Sequence, residues 1–384
     1  MYDIRSLLSD MVARDASDLY LTADSPPVIR VEGLTEPVGE ELLSAPEVEE
    51  LANAVMTERQ RLAFEEKMEM NLALASGRLG RFRVNVFRQR GAVAVVVRQI
   101  KVNVPTIDDL GLPEILKTIA LSRRGLVLVT GATGSGKSTT QAALIDYRNE
   151  HTRGHIVTIE DPIEFVHPHK GCLVSQREVG FDTVSFNEAL RNTLRQAPDL
   201  ILIGEVRDLE TMEAAITFAE TGHLCLATLH SNNANQAIER VMNFFPAQRH
   251  AEIHLQLSLN LRAIISQRLV QGVDGKRVAA LEILIDTPRV KDLIKKGEID
   301  VLKEAMLQST LEGGQTFDQA LYDLYTNGHI SEDQALANAD SANNLRIRIK
   351  NFDLREHAKD KDRRAGEPDL RIEGVTRQPN FRRR

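Results

Sequence analysis

Two apolar runs in this chain end in clustered acid. "VTIEDPIEF", residues 157–165, delivers Glu160, Asp161 and Glu164, and "DLILIGEVRD", residues 199–208, delivers Glu205 behind Gly204. Two carboxylates about 4 Å apart repel by roughly 4 kcal/mol at an effective dielectric near 20, so such clusters call for a cation. The stretch "GATGSGKST", Gly131–Thr139, indicates its source. It fills every position of the pattern G-x-x-x-x-G-K-[ST], with the apolar run "GLVLVT" before it and the helix-forming "TQAALIDYRNE" after it. Gly131, Gly134 and Gly136 let backbone amides turn inward around phosphate oxygens at a helix N-terminus, and Ala132, Thr133, Ser135 and Thr139 complete the loop. Lys137 is expected on the β and γ phosphates and Ser138 on Mg²⁺. The magnesium carried by the nucleotide is the cation the acids require.

Glu205 occupies the position of the acid on the second strand of a phosphate-loop fold, which orients Mg²⁺, usually through water. Hydrolysis needs a further residue to orient the attacking water, and Glu160, Asp161, Glu164 and Glu205 are the candidates. His223 and His230 bracket the apolar run in "HLCLATLH". His230 stands at the run's end, where a γ-phosphate sensor would lie.

Elements must hold these groups in place. From about residue 114, short apolar runs alternate with helical segments, the signature of a largely parallel, helix-covered sheet. "GLVLVT", "HIVTIE", "LILIGE" and "LCLATLH" read as buried strands, and "DLETMEAAITFAETG" as a helix capped by Asp208 and stopped at Gly222. Residues 15–100 read as α+β. "GRFRVNVFRQRGAVAVVVRQI" alternates arginines (Arg81, Arg83, Arg88, Arg90, Arg98) with apolar residues, one side of each strand facing a core. "SAPEVEELANAVMTERQRLAFEEKM" has helical spacing, with Ser44 and Glu47 as a capping pair. The expected organisation is an N-terminal domain over 1–100, a linker over 101–113, the nucleotide-binding core over 114–270, a helical subdomain over 271–345, and a charged, disordered tail over 346–384.

Composition narrows the function classes. No apolar stretch approaches the roughly 18 residues needed to cross a bilayer. The opening "MYDIRSLLSDMVARD" places Ile4, Leu7, Leu8, Met11 and Val12 at helical spacing rather than in a signal-peptide core, so a cytoplasmic chain is expected. Cys172 and Cys225 lack the spacing of a structural zinc site, and "HPHKGC" offers His167, His169 and Cys172 without a fourth ligand. The net charge of −7 divides into +3 from Asp353 onward and −10 before it, which argues against nonspecific nucleic-acid binding.

Four stretches, "GATGSGKST", "IEDPIEF", "LILIGEVRDLET" and "TGHLCLATLHSNNA", in this order and spacing, resemble the Walker A, Asp box, Walker B and His box of the secretion and type IV pilus ATPases. The likeness covers most of residues 1 to about 345, including "ASDLYL" and "PPVIRVEG". It implies an α/β chain with an N-terminal PAS-like α+β domain and a RecA-like core, assembled as a homohexamer that uses ATP and Mg²⁺. It implies Glu164 as general base and Glu205 as a magnesium holder, with His230 and His223 responding to nucleotide. Arg81, Arg83 or Arg88 of the N-terminal domain would reach the phosphates, and Arg207, with Arg195 or Arg240, would serve at the subunit boundary. Extension and secretion members typically carry a further large N-terminal domain and a four-cysteine zinc insertion, and this chain has two cysteines. It is therefore read as similar to the retraction branch, of the PilT and PilU type. "TPRVKDLIKKGE" departs from the "AIRNLIRE" typical of PilT, and the tail runs past PilT's usual end, so the resemblance is to the PilU type. That type implies work beside a PilT-type motor on an inner-membrane platform protein, at the cytoplasmic face of the membrane. An extension or secretion ATPase, a RecA-like DNA translocase and a non-catalytic partner of another motor are the competing readings.

Overall fold

The computed structural model describes residues 2–31, 33–76, 79–100 and 103–366. The opening segment forms helix α1 (Ile4–Ala13), capped by the Asp3 carboxylate, which accepts from the Ser6 amide. Its Ile4, Leu7, Leu8 and Met11 are buried, as the spacing predicts for a helix packed on its own domain. Strands β1 (Asp18–Leu21), β2 (Val28–Val31) and β3 (Leu34–Pro37) follow, then helices α2 (Ala45–Val55) and α3 (Glu58–Lys67), then strands β4 (Glu69–Ser76), β5 (Gly80–Gln89) and β6 (Ala92–Ile100). The six strands make one antiparallel sheet in the order β3-β2-β1-β6-β5-β4. The alternation in β5 is realised: Phe82, Val84 and Val86 are buried, while Arg81, Arg83 and Asn85 face outward. Ser44 and Glu47 form the anticipated capping box at the start of α2.

The core begins with α4 (Ile115–Ala120) and continues through β7 (Gly125–Thr130), α5 (Lys137–His151), β8 (Gly154–Glu160), β9 (Cys172–Glu178), α6 (Phe186–Thr193), β10 (Leu200–Ile203), α7 (Leu209–Glu220) and β11 (Leu224–Leu229). After α8 (Ala234–Asn243) and α9 (His250–Asn260) come β12 (Leu261–Gln271), β13 (Arg277–Ile285), α10 (Pro288–Lys296) and α11 (Leu302–Gln308). The seven strands run in the order β13-β12-β7-β11-β10-β8-β9, with β9, β8, β10, β11, β7 and β12 mutually parallel. Every residue of β7, β10 and β11 is buried, because helices cover both faces of a parallel sheet. Asp208 caps α7, its carboxylate accepting from the Thr211 amide at 2.8 Å, and Gly222 follows the helix at φ +96°.

The chain divides into two compact units, one of Met1–Leu269 and Leu281–Thr316, the other of Val270–Ala280 and Phe317–Arg384. The second unit holds α12 (Phe317–Thr326), α13 (Glu332–Asn338) and α14 (Ala342–Gly366). The division cuts β12 and β13 because their distal ends contribute Val270 and Ala280 to the separate apolar cluster of Phe317, Leu321, Ile330, Leu345 and Ile349. Helix α14 runs across position 346, where disorder was expected. The expectation fails there because Leu345, Ile349 and Phe352 recur at helical spacing and pack on α12, with the Phe352 ring edge-on to Tyr322 and Tyr325. The rest of the expected tail, from 367, lies outside the described residues.

Candidate active site

The C-terminal ends of the parallel strands β7, β8, β10 and β11 bring the candidate residues together. The phosphate loop leaves β7 and enters α5 through Gly136 at φ +87°. A side chain at Gly131 would meet Ser135 Oγ at 2.4 Å and the Gln267 carbonyl at 2.5 Å, so the loop closes against β12 only with glycine there. Gln267, buried in β12, accepts from Thr140 Oγ1 at 2.6 Å, and its neighbour Ser266 takes a hydrogen bond from Thr130 Oγ1 at 3.0 Å. Lys137 Nζ donates to the Gly131 and Ala132 carbonyls, each at 2.9 Å. Burial holds its pKa below the ordinary lysine value, opposed by the charges of Glu205 and Glu164.

The acid-bearing segment after β8 starts with a cis Asp161–Pro162 peptide. Gln176 of β9 stitches it to the sheet, its amide nitrogen donating to the Phe165 carbonyl at 2.8 Å and to Glu160 Oε1 at 3.2 Å, while its oxygen accepts from the His167 amide at 2.8 Å. Thr158 Oγ1 also donates to Glu160 Oε1 at 2.6 Å. Removal from water outweighs these bonds and pushes the Glu160 carboxyl up to about 7. Gly204 brings β10 against this segment: a Cβ there would lie 3.1 Å from both Glu160 Cα and the Ile159 carbonyl.

Glu205 is the hub beyond it. Arg207 Nε donates to Glu205 Oε2 at 2.8 Å, its Nη1 lies 3.7 Å from Asp161 Oδ2, and His230 Nε2 lies 3.2 Å from Glu205 Oε1. Burial would raise the Glu205 carboxyl, but the Arg207 hydrogen bond and charge, with His230 and Lys137, hold it below its usual value. Thr133, Gly134, Lys137, Ser138, Glu160, Asp161, Glu164, Glu205 and His230 line one cavity of about 200 Å³. Gly131, Ala132 and His230 line a second cavity together with Arg240.

Other expected site residues lie elsewhere. His223 is at the opposite end of β11 from His230. At about 3.3 Å per residue, the intervening strand puts the two roughly 20 Å apart, so His223 does not join His230 in this chain's cavity. Its Nδ1 instead sits 3.1 Å from Thr221 Oγ1. Arg81 pairs with Glu178 and Asp182, and the Arg88 guanidinium sits 5.5 Å from the centre of the Phe64 ring. None of Arg81, Arg83 and Arg88 lines the cavity of its own chain. Sequence reasoning missed Gln141 and Gln176, and the Thr140–Gln267 bond. Gln141 was visible in principle: it follows Ser138 by three residues, the spacing of one helix face, and it is buried with its amide nitrogen unpartnered on the cavity wall. Gln267 lay more than 120 residues from the loop it supports.

A serine hydroxyl and carboxylate oxygens are the hard donors that magnesium takes. Among the described residues no group of three or more His, Cys, Asp or Glu could hold a metal by itself.

A phosphate loop between the first core strand and its helix, with acids at the ends of adjacent parallel strands, defines a P-loop nucleotide hydrolase on a RecA-like sheet. The description of the family model that matches residues 2–309 is type II/IV secretion system protein. The chain is 56% identical over 349 residues to the type IV pilus ATPase PilU of Pseudomonas aeruginosa, 91% of each protein. It is 46% identical over 333 residues to the pilus retraction ATPase PilT of the same organism, covering 87% of this chain and 97% of that one. A crystal structure of the pilus retraction motor PilT with bound ADP superposes with a TM-score of 0.83 at 41% identity, over 89% of this chain and 98% of that one. The chain belongs to the type II/IV secretion ATPase family. Within it, the chain is a PilU-like type IV pilus ATPase, an enzyme that hydrolyses ATP.

Proposed function

We propose that this ATPase is the subunit of a homohexameric motor that powers type IV pilus retraction, and so twitching motility, beside a PilT-type motor. The observation that carries the reading is the convergence of Lys137, Ser138, Glu164, Glu205 and His230 on one cavity at the strand ends. Lys137 binds the β and γ phosphates, with the loop amides of Gly131–Thr139 around them. Ser138 and Glu205 would hold magnesium, Glu205 through water, and the ion when bound would supply positive charge against the transferred phosphoryl group. Glu164 orients the attacking water and takes its proton. His230, 3.2 Å from Glu205, reads the state of the γ-phosphate side of the site. Arginines of a neighbouring copy's N-terminal domain complete the site, and Arg207, with Arg195 or Arg240, serves the boundary between copies. Nucleotide-driven rigid-body motion then turns cleavage into work on the inner-membrane platform protein at the cytoplasmic face of the pilus base. The segment "TPRVKDLIKKGE" and the high identity to PilU support the PilU type. Among the described residues no helix is long and apolar enough to cross a membrane, which suits attachment through partners.

Replacing Glu164 with Ala should lower ATP turnover by 100-fold or more, in the range expected for loss of a general base, while leaving nucleotide affinity near wild type. Unchanged turnover removes the assignment. A deletion strain should retain surface pili but move less; a strain lacking pili would favour an extension or secretion role.

A further inference from the structure

The N-terminal domain reaches the acid-bearing segment of its own chain through one buried carboxylate. Glu178, the last residue of β9, is 1% exposed. Its backbone is fixed by a tight turn: the Glu178 amide donates to Asp182 Oδ2 at 2.9 Å, and its carbonyl accepts from the Asp182 amide at 2.8 Å. Phe181, in the same turn, packs against the apolar core of the N-terminal domain. The Glu178 side chain faces two ways at once. Its Oε2 lies 3.5 Å from Arg81 Nη2, on β5 of the N-terminal sheet, and accepts from the Ile163 amide at 3.4 Å. Ile163 is buried and immediately precedes Glu164.

A carboxylate so placed depends on its cation. Burial raises the Glu178 carboxyl, while the Ile163 amide and the charges of Arg81 and Arg83 oppose the rise. With Arg81 withdrawn, the group keeps one long hydrogen bond and the charge of Arg83 but no ion pair at Arg81's distance, and a buried charge so weakly compensated either takes a proton or turns toward water. Either response slackens its hold on the Ile163 amide. We propose that Arg81 and Glu178 are positioning residues, through which the N-terminal domain holds the Glu164-bearing segment of its own chain in register for hydrolysis. A domain motion that moves Arg81 would then switch hydrolysis within the subunit, a role apart from any arginine a neighbour supplies to the phosphates. The inference rests on the reading of Glu164 as the base.

The test compares Arg81→Ala, Arg81→Lys, Glu178→Gln and the double variant R81A/E178Q in the full-length assembly, with ATP as substrate. Each of R81A and E178Q should lower kcat about tenfold, with KM and the affinity for a fluorescent ATP analogue within about threefold of wild type. The double variant should be no slower than the slower single one, because both changes break one link. Arg81→Lys should recover part of the loss. The proposal is overturned if the single losses multiply in the double variant, if R81A raises KM with kcat unchanged (which would put Arg81 on the phosphates), or if both single variants turn over at wild-type rates. Failure of the base assignment is read separately, on the Glu164 variant. Melting temperature and particle mass of Arg81→Ala, a partly exposed residue, keep the test valid should Glu178→Gln fold poorly.

Discussion

Glu160 shows how the site trades stability for arrangement. Its carboxyl is pushed up to about 7 from an ordinary 4.5, chiefly by burial. Between those two values the folded chain binds a proton that the unfolded chain releases, so this group's effect on stability worsens as pH rises through that window. Its cost is absent below about 4.5 and complete above about 7. Glu160→Gln keeps an oxygen to accept from Thr158 and Gln176 and carries no charge. It should therefore stabilise the protein by on the order of 1–3 kcal/mol at pH 8 and by little at pH 4.5. Urea unfolding of both proteins at the two pH values checks this, and an equal difference at both would remove charge as the cause. That the acids, the lysine and the loop glycine Gly134 would gather on one cavity was legible in the sequence, because a phosphate loop and acidic strand ends set residue types at fixed spacing. Gln176 and Gln267 were not, since a side-chain amide serves equally well at a surface, and only the fold brings them to the segments they brace.

At the level of elements, the site depends on how closely β10 approaches β8. Gly204 permits the approach, since any Cβ there meets Glu160 Cα and the Ile159 carbonyl at 3.1 Å, and both are backbone atoms that cannot swing aside. Gly204→Ala should spread the two strand ends, cost about 1–3 kcal/mol as an overpacked site, and reduce turnover more than nucleotide affinity. On the proposed assignment affinity is held by the phosphate loop, which β7 and β12 support independently of β8. Thermal melting and a kcat-against-KM comparison test both halves; a fall in affinity with kcat intact would contradict the separation. The parallel core was legible as short apolar runs, because strands buried on both faces have no polar side to interrupt them. Which runs lie side by side was not. The placing of β12 beside β7, bracing the loop through Thr140 and Gln267, is a long-range pairing that leaves no mark in local spacing.

On the scale of the whole chain, the second unit shows where reading by charge misleads. The segment from 346 is rich in charge, and mean polarity alone points to disorder. Yet Leu345 and Ile349 are fully buried, the Tyr325 hydroxyl donates to Asp353 Oδ1 at 3.0 Å, and the Arg348 guanidinium lies 4.4 Å from the Tyr322 ring centre. A few apolar residues on one face suffice when a waiting surface on α12 and α13 covers them, while the charged face stays in water. A shortened chain tests what α14 contributes. A chain ending at 341 removes Leu345 and Ile349, each worth roughly 1.5–3 kcal/mol of burial, and uncovers Phe317, Leu321 and Ile330. That chain should show early proteolytic cleavage within 317–341 and a lower melting temperature. The phosphate site belongs to the other unit, so its nucleotide affinity should persist. Loss of affinity in the shorter chain, with the second unit's cleavage pattern unchanged, would show that α14 serves the site rather than its own cluster.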